Sequence, residues 1–206
     1  MKNEVLYLLL NDYAEHEAAF LASAIRCDEQ TVKENPKYIN RVVAPTLDNV
    51  RSCGGFSTTP DYSFDTMPDD YAALVLIGGY GWISAEAEPV AAIVKKAMDK
   101  GIIVGAICNG ASFLAKCGLL NHVKHTGNGL EQLKLWGADN YTNESGYVNR
   151  QAMSDHRVVT ANGTGYLEFA KELLLLLQSD APEYIERFYR FNKDGFIKCI
   201  FGDLSF

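Results

Sequence analysis

Ile102-Ile103-Val104-Gly105-Ala106-Ile107-Cys108-Asn109-Gly110-Ala111-Ser112-Phe113-Leu114 carries an apolar run straight into a cysteine, then into a helical pattern. β-Branched and small apolar residues in an unbroken run fit a strand buried on both faces of a parallel sheet. A strand that turns abruptly into a helix presents its turn residue at the sheet's carboxyl edge. Small neighbours allow such a turn to pass close to other backbone. Here that residue is Cys108, and the helix N-terminus behind it favours a thiolate. A buried structural cysteine is the other reading, since free cysteines are among the most buried residues. The stretch alone leaves both open.

Working outward, Ala72–Ile77 reads as a second buried strand ending in Gly78-Gly79. Ser84 is then expected to cap a helix with Glu86 and Glu88 in its acidic first turn, running to about Lys100 and stopping at Gly101. On the far side, residues 111–120 are expected to be helical, 123–126 a short strand, 130–136 a short helix and 157–160 the last strong strand. Asn162-Gly163-Thr164-Gly165 forms a turn opening a helix over 166–178, whose consecutive leucines 173–177 are core. Asp180-Ala181-Pro182-Glu183 has the form of a capping box starting a helix to about Phe191. Residues 4–10 form the first strand, and Asp12-Tyr13-Ala14-Glu15 is a second capping box, with Asp12 as N-cap of a helix to about Cys27. Residues 41–45 are a strand, and the Gly-, Ser- and Pro-rich 46–68 a small hairpin lying over the sheet. Alternation of strand and helix predicts one α/β domain over 1–206 with a mostly parallel central sheet, residues 179–206 being a helical and aromatic extension.

Composition narrows the function. The 206 residues are 48% hydrophobic and 22% charged with a net charge of −7, which argues against nucleic acid or an anionic membrane as partner. The N-terminal apolar run is short, preceded by Glu4 and followed by Asn11-Asp12, so it reads as a strand rather than a signal peptide. No apolar run approaches a membrane span. Five cysteines at wide spacing, with no C-x-x-C pair, fit reduced thiols in the cytoplasm rather than disulfides or zinc. The four histidines lack metal-ligand spacing, and no metal or cofactor is expected.

Ala106-Ile107-Cys108-Asn109-Gly110, the Gly78-Gly79 strand end and Asp12-Tyr13-Ala14-Glu15-His16-Glu17 together resemble the ThiJ/PfpI superfamily. Gly118-Leu119-Leu120, Lys124-His125-Thr126-Gly127-Asn128-Gly129 and residues 159–165 with Leu167-Glu168-Phe169-Ala170 extend the resemblance from Val5 to about Leu177. It implies a flavodoxin-like three-layer sandwich of the class I glutamine amidotransferase-like type. Cys108 then matches the nucleophile, Glu17 the carboxyl group beside its sulfur, and Gly79 with the Asn109 N–H the oxyanion hole. A carboxyl buried beside another anion has a raised pKa and, when neutral, donates a hydrogen bond. Taken without the resemblance, Glu17 is an ordinary helix-face charge and Gly78-Gly79 a strand-ending turn.

Two departures from the family pattern bear on activity. Asn128 stands where members commonly carry a histidine, and His125 lies three residues earlier, an odd offset that turns it to the opposite face of an extended segment. His125 and Asn128 are therefore accessory candidates only. The region after the cysteine also lacks the His-x-Glu pair of glutaminases, so that activity is not expected. Tyr80 and Trp82 are candidates for a pocket wall or for core. The leading expectation is a cysteine hydrolase, amidase or glyoxalase/deglycase-like enzyme acting on a small carbonyl or amide substrate. The alternatives are a redox-responsive stress protein oxidised at Cys108 and an amidotransferase-like protein without the triad. The resemblance also implies a homodimer, for which the aromatic tail is suited.

Overall fold

The computed structural model describes residues 3–27 and 31–202. Its elements in chain order are β1 (Glu4–Leu8), α1 (Glu15–Arg26), β2 (Ile39–Ala44), β3 (Val50–Arg51), β4 (Ser57–Thr58), β5 (Tyr62–Ser63), β6 (Ala73–Leu76) and α2 (Val90–Asp99). They continue with β7 (Ile103–Ile107), α3 (Asn109–Lys116), α4 (Leu130–Gly137), β8 (Ala152–Asp155), β9 (Val158–Ala161), α5 (Tyr166–Leu177), α6 (Pro182–Asp194) and α7 (Phe196–Phe201). Seven strands form one sheet in the order β5-β2-β1-β6-β7-β9-β8. Every pairing in it is parallel except that of β8 with β9.

Two hydrophobic layers follow from strand alternation, which sends successive side chains to opposite faces. Leu6, Leu8, Leu74, Leu76, Val104 and Ala106 meet Val90, Val94, Phe113, Leu114 and Leu133 of α2, α3 and α4 on one face. Val5, Tyr7, Val75, Ile103 and Ile107 meet Leu21, Ile25, Phe169, Leu173 and Leu177 of α1 and α5 on the other. Gly105 lies in β7 where a Cβ would come 3.0 Å from both Leu173 and Phe169, so the glycine lets α5 sit close to the sheet. The helices thus cover both sides of a sheet whose carboxyl edge ends in Gly78-Gly79 and Cys108.

Several boundaries differ from the sequence reading, each for a local reason. Asp12 does not cap α1; it sits at φ 59°, its N–H bonded to Arg51 and its carbonyl to the Tyr80 N–H. Helix α1 begins at Glu15 with Ala14 as its cap residue, because the preceding turn is committed to docking on Gly79. Ser84 donates to the Gly81 carbonyl between two short 3₁₀ turns, and α2 starts only after Pro89. Asp180 likewise accepts from the Ala181 N–H instead of capping α6, although Pro182 takes the expected first position. Residues 123–126 are no strand; His125 makes a single bridge to Tyr147. The antiparallel strand is β8, on the sheet edge.

The hairpin over 46–68 is present as β3–β4, while β5 beyond it joins the main sheet through Val43 and Ala44. In the tail, α6 packs on α5 through Ile185 and a Tyr189 hydroxyl–Glu168 bond of 2.9 Å. Helix α7 leaves Phe196, Ile197, Ile200 and Phe201 exposed. Residues 1–2 of the expected N-terminal run and 203–206 of the tail lie outside the described residues. No helix among the described residues is long and apolar enough to cross a membrane.

Candidate functional site

Cys108 is the last residue before α3 and adopts φ 56°, ψ −125°, a conformation that costs a non-glycine residue about 1–3 kcal/mol. Three contacts hold it there. Its N–H donates to the Ala161 carbonyl of β9 (3.0 Å), and its carbonyl accepts from the Ala111 and Ser112 N–H groups (3.1 and 3.3 Å). Gly110 lets α3 cross the end of β6, since a Cβ there would lie 2.8 Å from the Leu76 carbonyl oxygen.

Glu17 arrives from the first turn of α1. That turn is tied to the diglycine by the Ala14 N–H to Gly78 carbonyl bond of 2.9 Å, which brings the side chain to the sheet edge. The carboxylate is only 2% exposed and accepts from the Gly78 N–H at 2.8 Å. A Cβ on Gly78 would overlap both Glu17 Oε2 (2.3 Å) and the Cys108 Cβ (2.5 Å), so the glycine is what allows the two side chains to converge. Gly163, in the turn before α5, closes the other side; a Cβ there would lie 3.1 Å from both Cys108 Sγ and Glu17 Oε1.

Asn128 completes the surroundings of the sulfur. Its Nδ2 donates to Cys108 Sγ at 3.2 Å, and its Oδ1 accepts from the Gly163 N–H at 2.9 Å. The second bond orients the first: with the oxygen held by a backbone donor, the amide NH₂ must face the sulfur. The residue at this position is thus a neutral donor that stabilises a thiolate and cannot take its proton.

Burial raises Glu17 from 4.5 to about 7, against the opposing hydrogen bonds from Gly78 and Cys108. Burial first, and then the charge on Glu17, raise the Cys108 thiol above its usual value, while Asn128 and the Asn109 N–H pull it down. The two groups are coupled, so ionising one makes the other hold its proton more tightly. A folded-state pKa above the unfolded value contributes stability that is complete below about pH 4.5 and is lost as pH rises through 7. Glu17→Gln escapes that loss. It is expected to be more stable than the parent above pH 7 by up to about 3 kcal/mol, with the gap closing toward pH 4.5. Thermal melts across pH 4–9 check this; a pH-independent difference contradicts it.

On the other side of Cys108, Gly79 has φ 135°, and its N–H has no acceptor among the described residues. The Asn109 side chain bridges the elbow to this loop. Its Nδ2 donates to the Gly79 carbonyl at 2.8 Å, and its Oδ1 accepts from Gln132 Nε2 of α4 at 2.9 Å. Gln132, Gly163 and Gly78 were not singled out from sequence. Gly78 carried a signal as half of the strand-ending diglycine and Gly163 as part of a glycine-rich turn, but nothing marked either as touching the cysteine.

His125 is fully buried and is not brought to the sulfur. Its Nδ1 bonds the Val123 carbonyl (2.9 Å) and its Nε2 the Tyr141 hydroxyl (2.6 Å). With both nitrogens engaged and its pKa lowered by burial, the ring has no free position for proton transfer at Cys108. Trp82 is core, stacked 4.8 Å from Phe113 with its indole N–H on the Ile77 carbonyl, whereas Tyr80 is 70% exposed.

The DJ-1/PfpI family profile matches residues 3–176. An uncharacterized protease of Bacillus subtilis, YdeA, is 38% identical over 198 residues, covering 94% of this chain and 92% of its own. A second, YoaZ, is 35% identical over 145 residues, 70% of this chain and 69% of its own. Among solved structures, the DJ-1 superfamily protein Atu0886 of Agrobacterium tumefaciens superposes with a TM-score of 0.81 at 34% identity, covering 93% of this chain and 98% of its own.

Proposed function

Because the chain belongs to the DJ-1/PfpI family, we propose that it is a cysteine-centred enzyme acting on a small carbonyl or amide substrate, with Cys108 as nucleophile. The carrying observation is the sulfur itself: set on a strained elbow, it faces the Asn128 NH₂ at 3.2 Å with the Glu17 carboxyl alongside. In this reading the thiolate adds to the carbonyl carbon, the new S–C bond forms, and the C=O π pair moves onto oxygen. The unpartnered Gly79 N–H, with the Asn109 N–H, stabilises the resulting oxyanion. Since Asn128 is not a base and His125 is sealed off, the proton traffic falls to Glu17. As the carboxylate it takes the thiol proton, and the neutral carboxyl so formed gives that proton to the hemithioacetal oxygen of an aldehyde or to the leaving amine of an amide. In the amide case water then cleaves the thioester and returns the thiol. Bonded to Gly79 and oriented by Gln132, Asn109 holds the loop that carries the oxyanion donor.

Turnover of methylglyoxal, glycated and amide substrates by the parent and by Cys108→Ala tests this. Loss of about 10³-fold or more is expected on removing the nucleophile, and equal rates contradict the reading.

The donors around the sulfur favour a second reading. A thiolate oxidised by two equivalents of peroxide, each leaving as water, becomes a sulfinate whose oxygens meet Asn128, the Asn109 N–H and protonated Glu17. Single-site oxidation at Cys108 on intact-mass titration, with no Cys108-dependent turnover, distinguishes a redox-responsive protein from an enzyme.

A further inference from the structure

We propose that the groove beside Cys108 holds the remainder of the substrate and selects an uncharged hydrogen-bonding group, an amide or a hydroxyl-bearing chain, adjoining the reacting carbonyl. This deepens, and rests on, the reading of Cys108 as nucleophile. The groove is an open depression of about 420 Å³, and its walls include Asn128, Tyr147, Asn149, Asn162, Gly163 and Thr164. Asn128 and Gly163 touch the sulfur or would touch it with one added carbon, so the groove lies beside the nucleophile, with Cys108 itself just outside its lining.

No lysine, arginine, aspartate or glutamate lines it among the described residues, although the chain carries 45 formally charged Lys, Arg, Asp and Glu side chains (19 + 26). Its walls are also set in advance. Asn162 is held by Gln151 Oε1 (2.6 Å) and by the Thr164 N–H and hydroxyl (3.0 and 2.8 Å), and Asn128 by Gly163. The Tyr147 hydroxyl and the exposed Asn149 amide have no protein partner among the described hydrogen bonds and are open to solvent or a ligand. The Tyr147 ring rests against buried His125 at 6.2 Å, which gives that sealed histidine a role as support for the groove wall. A carboxylate or ammonium entering this space gives up hydration and finds no counter-ion. A neutral amide or hydroxyl exchanges one set of hydrogen bonds for another at little cost.

Small alkylating agents read the groove without requiring turnover. Alkylation of Cys108 by neutral iodoacetamide and anionic iodoacetate is compared at pH 6.5 in three proteins, with Asn149 unchanged, Asn149→Asp and Asn149→Lys, each also carrying Glu17→Gln so that no charge on that carboxyl separates the two reagents, and with sites resolved by peptide mass. Exposed Cys53 and free glutathione serve as references. Asn149 is exposed and bonded to no described group, so both variants should keep the fold. At Cys108 the neutral-to-anionic rate ratio is expected to exceed that of glutathione by about fivefold. Asn149→Asp should widen it, and Asn149→Lys narrow it, by about threefold each, with the Cys53 ratio unmoved. Ratios at Cys108 that follow glutathione in all three proteins overturn the groove proposal, even if Cys108-dependent turnover is found. Charge selectivity without such turnover removes the enzymatic reading instead and leaves a binding groove of the same chemistry.

Discussion

Gly79→Ala is expected to lower the stability of the fold by about 3–5 kcal/mol, the sum of a backbone penalty and a steric one. Gly79 holds φ 135°, a region that L side chains rarely adopt. A Cβ there would also stand 2.3 Å from the Asp12 carbonyl oxygen and 2.6 Å from the Tyr13 Cα, both backbone atoms that no rotamer change can move. Relief would require breaking the Tyr80 N–H to Asp12 bond and the Tyr13 bridge, which together dock the start of α1 and thereby Glu17. Gly101→Ala is the matched control. Its φ of 67° is also positive, but nothing lies within 4 Å of the added carbon, so only about 1–2 kcal/mol is expected. Urea unfolding of both variants measures the contrast; equal losses would mean that the close approach at Gly79 carries no energy.

Gly163→Ala should do the opposite, sparing the fold and damaging the chemistry. Gly163 lacks a positive φ, and its added carbon would meet side-chain atoms rather than backbone: Cys108 Sγ and Glu17 Oε1 at 3.1 Å. Those atoms can yield by a few tenths of an ångström, so the expected loss of stability is about 1 kcal/mol or less. The same methyl group crowds the sulfur and the carboxyl at once. A misplacement of about 1 Å at reacting atoms costs about 10²-fold in rate, so one of a few tenths of an ångström costs about tenfold. The expected result is therefore a stable protein whose Cys108-dependent turnover falls about tenfold, and an unimpaired rate would contradict a reacting sulfur held against Gly163.

The contrast between these glycines shows what the sequence could and could not disclose. Residues 73–76 and 103–107 were legible as central strands because each is buried on both faces and apolar throughout. The edge strand β8 was not, since Ala152-Met153-Ser154-Asp155 is half-buried at every position and has neither an apolar run nor alternation. Capping boxes at Asp12 and Asp180 were plausible by residue type, but long-range backbone bonds hold Asp12, and the Asp180 carboxylate is taken by the adjacent Ala181 N–H and by Lys33. The elbow at Cys108 could be read from one local run. Glu17 could not be placed beside it without the family resemblance, because its burial depends on docking between α1 and a diglycine 61 positions away. His125 is turned to Val123 and Tyr141 although its segment is no strand, so the offset argument does not explain its direction, and Asn128 stands against the sulfur. Gln132 had no local signature at all, since its role comes from the packing of α4 against α3.

The Cys108 sulfur ionises against its own burial and one neighbouring carboxyl group, helped by the Asn128 amide and with no histidine in contact. The pH dependence of Cys108 alkylation in the parent and in Glu17→Gln tests that directly. In the variant an amide stands in for the protonated carboxyl, and the thiol no longer ionises against a negative charge. The predicted result is an apparent Cys108 pKa below the parent's, because the repelling charge is gone, with the inflection near pH 7 also lost. An unchanged profile, or a pKa that rises, would contradict it.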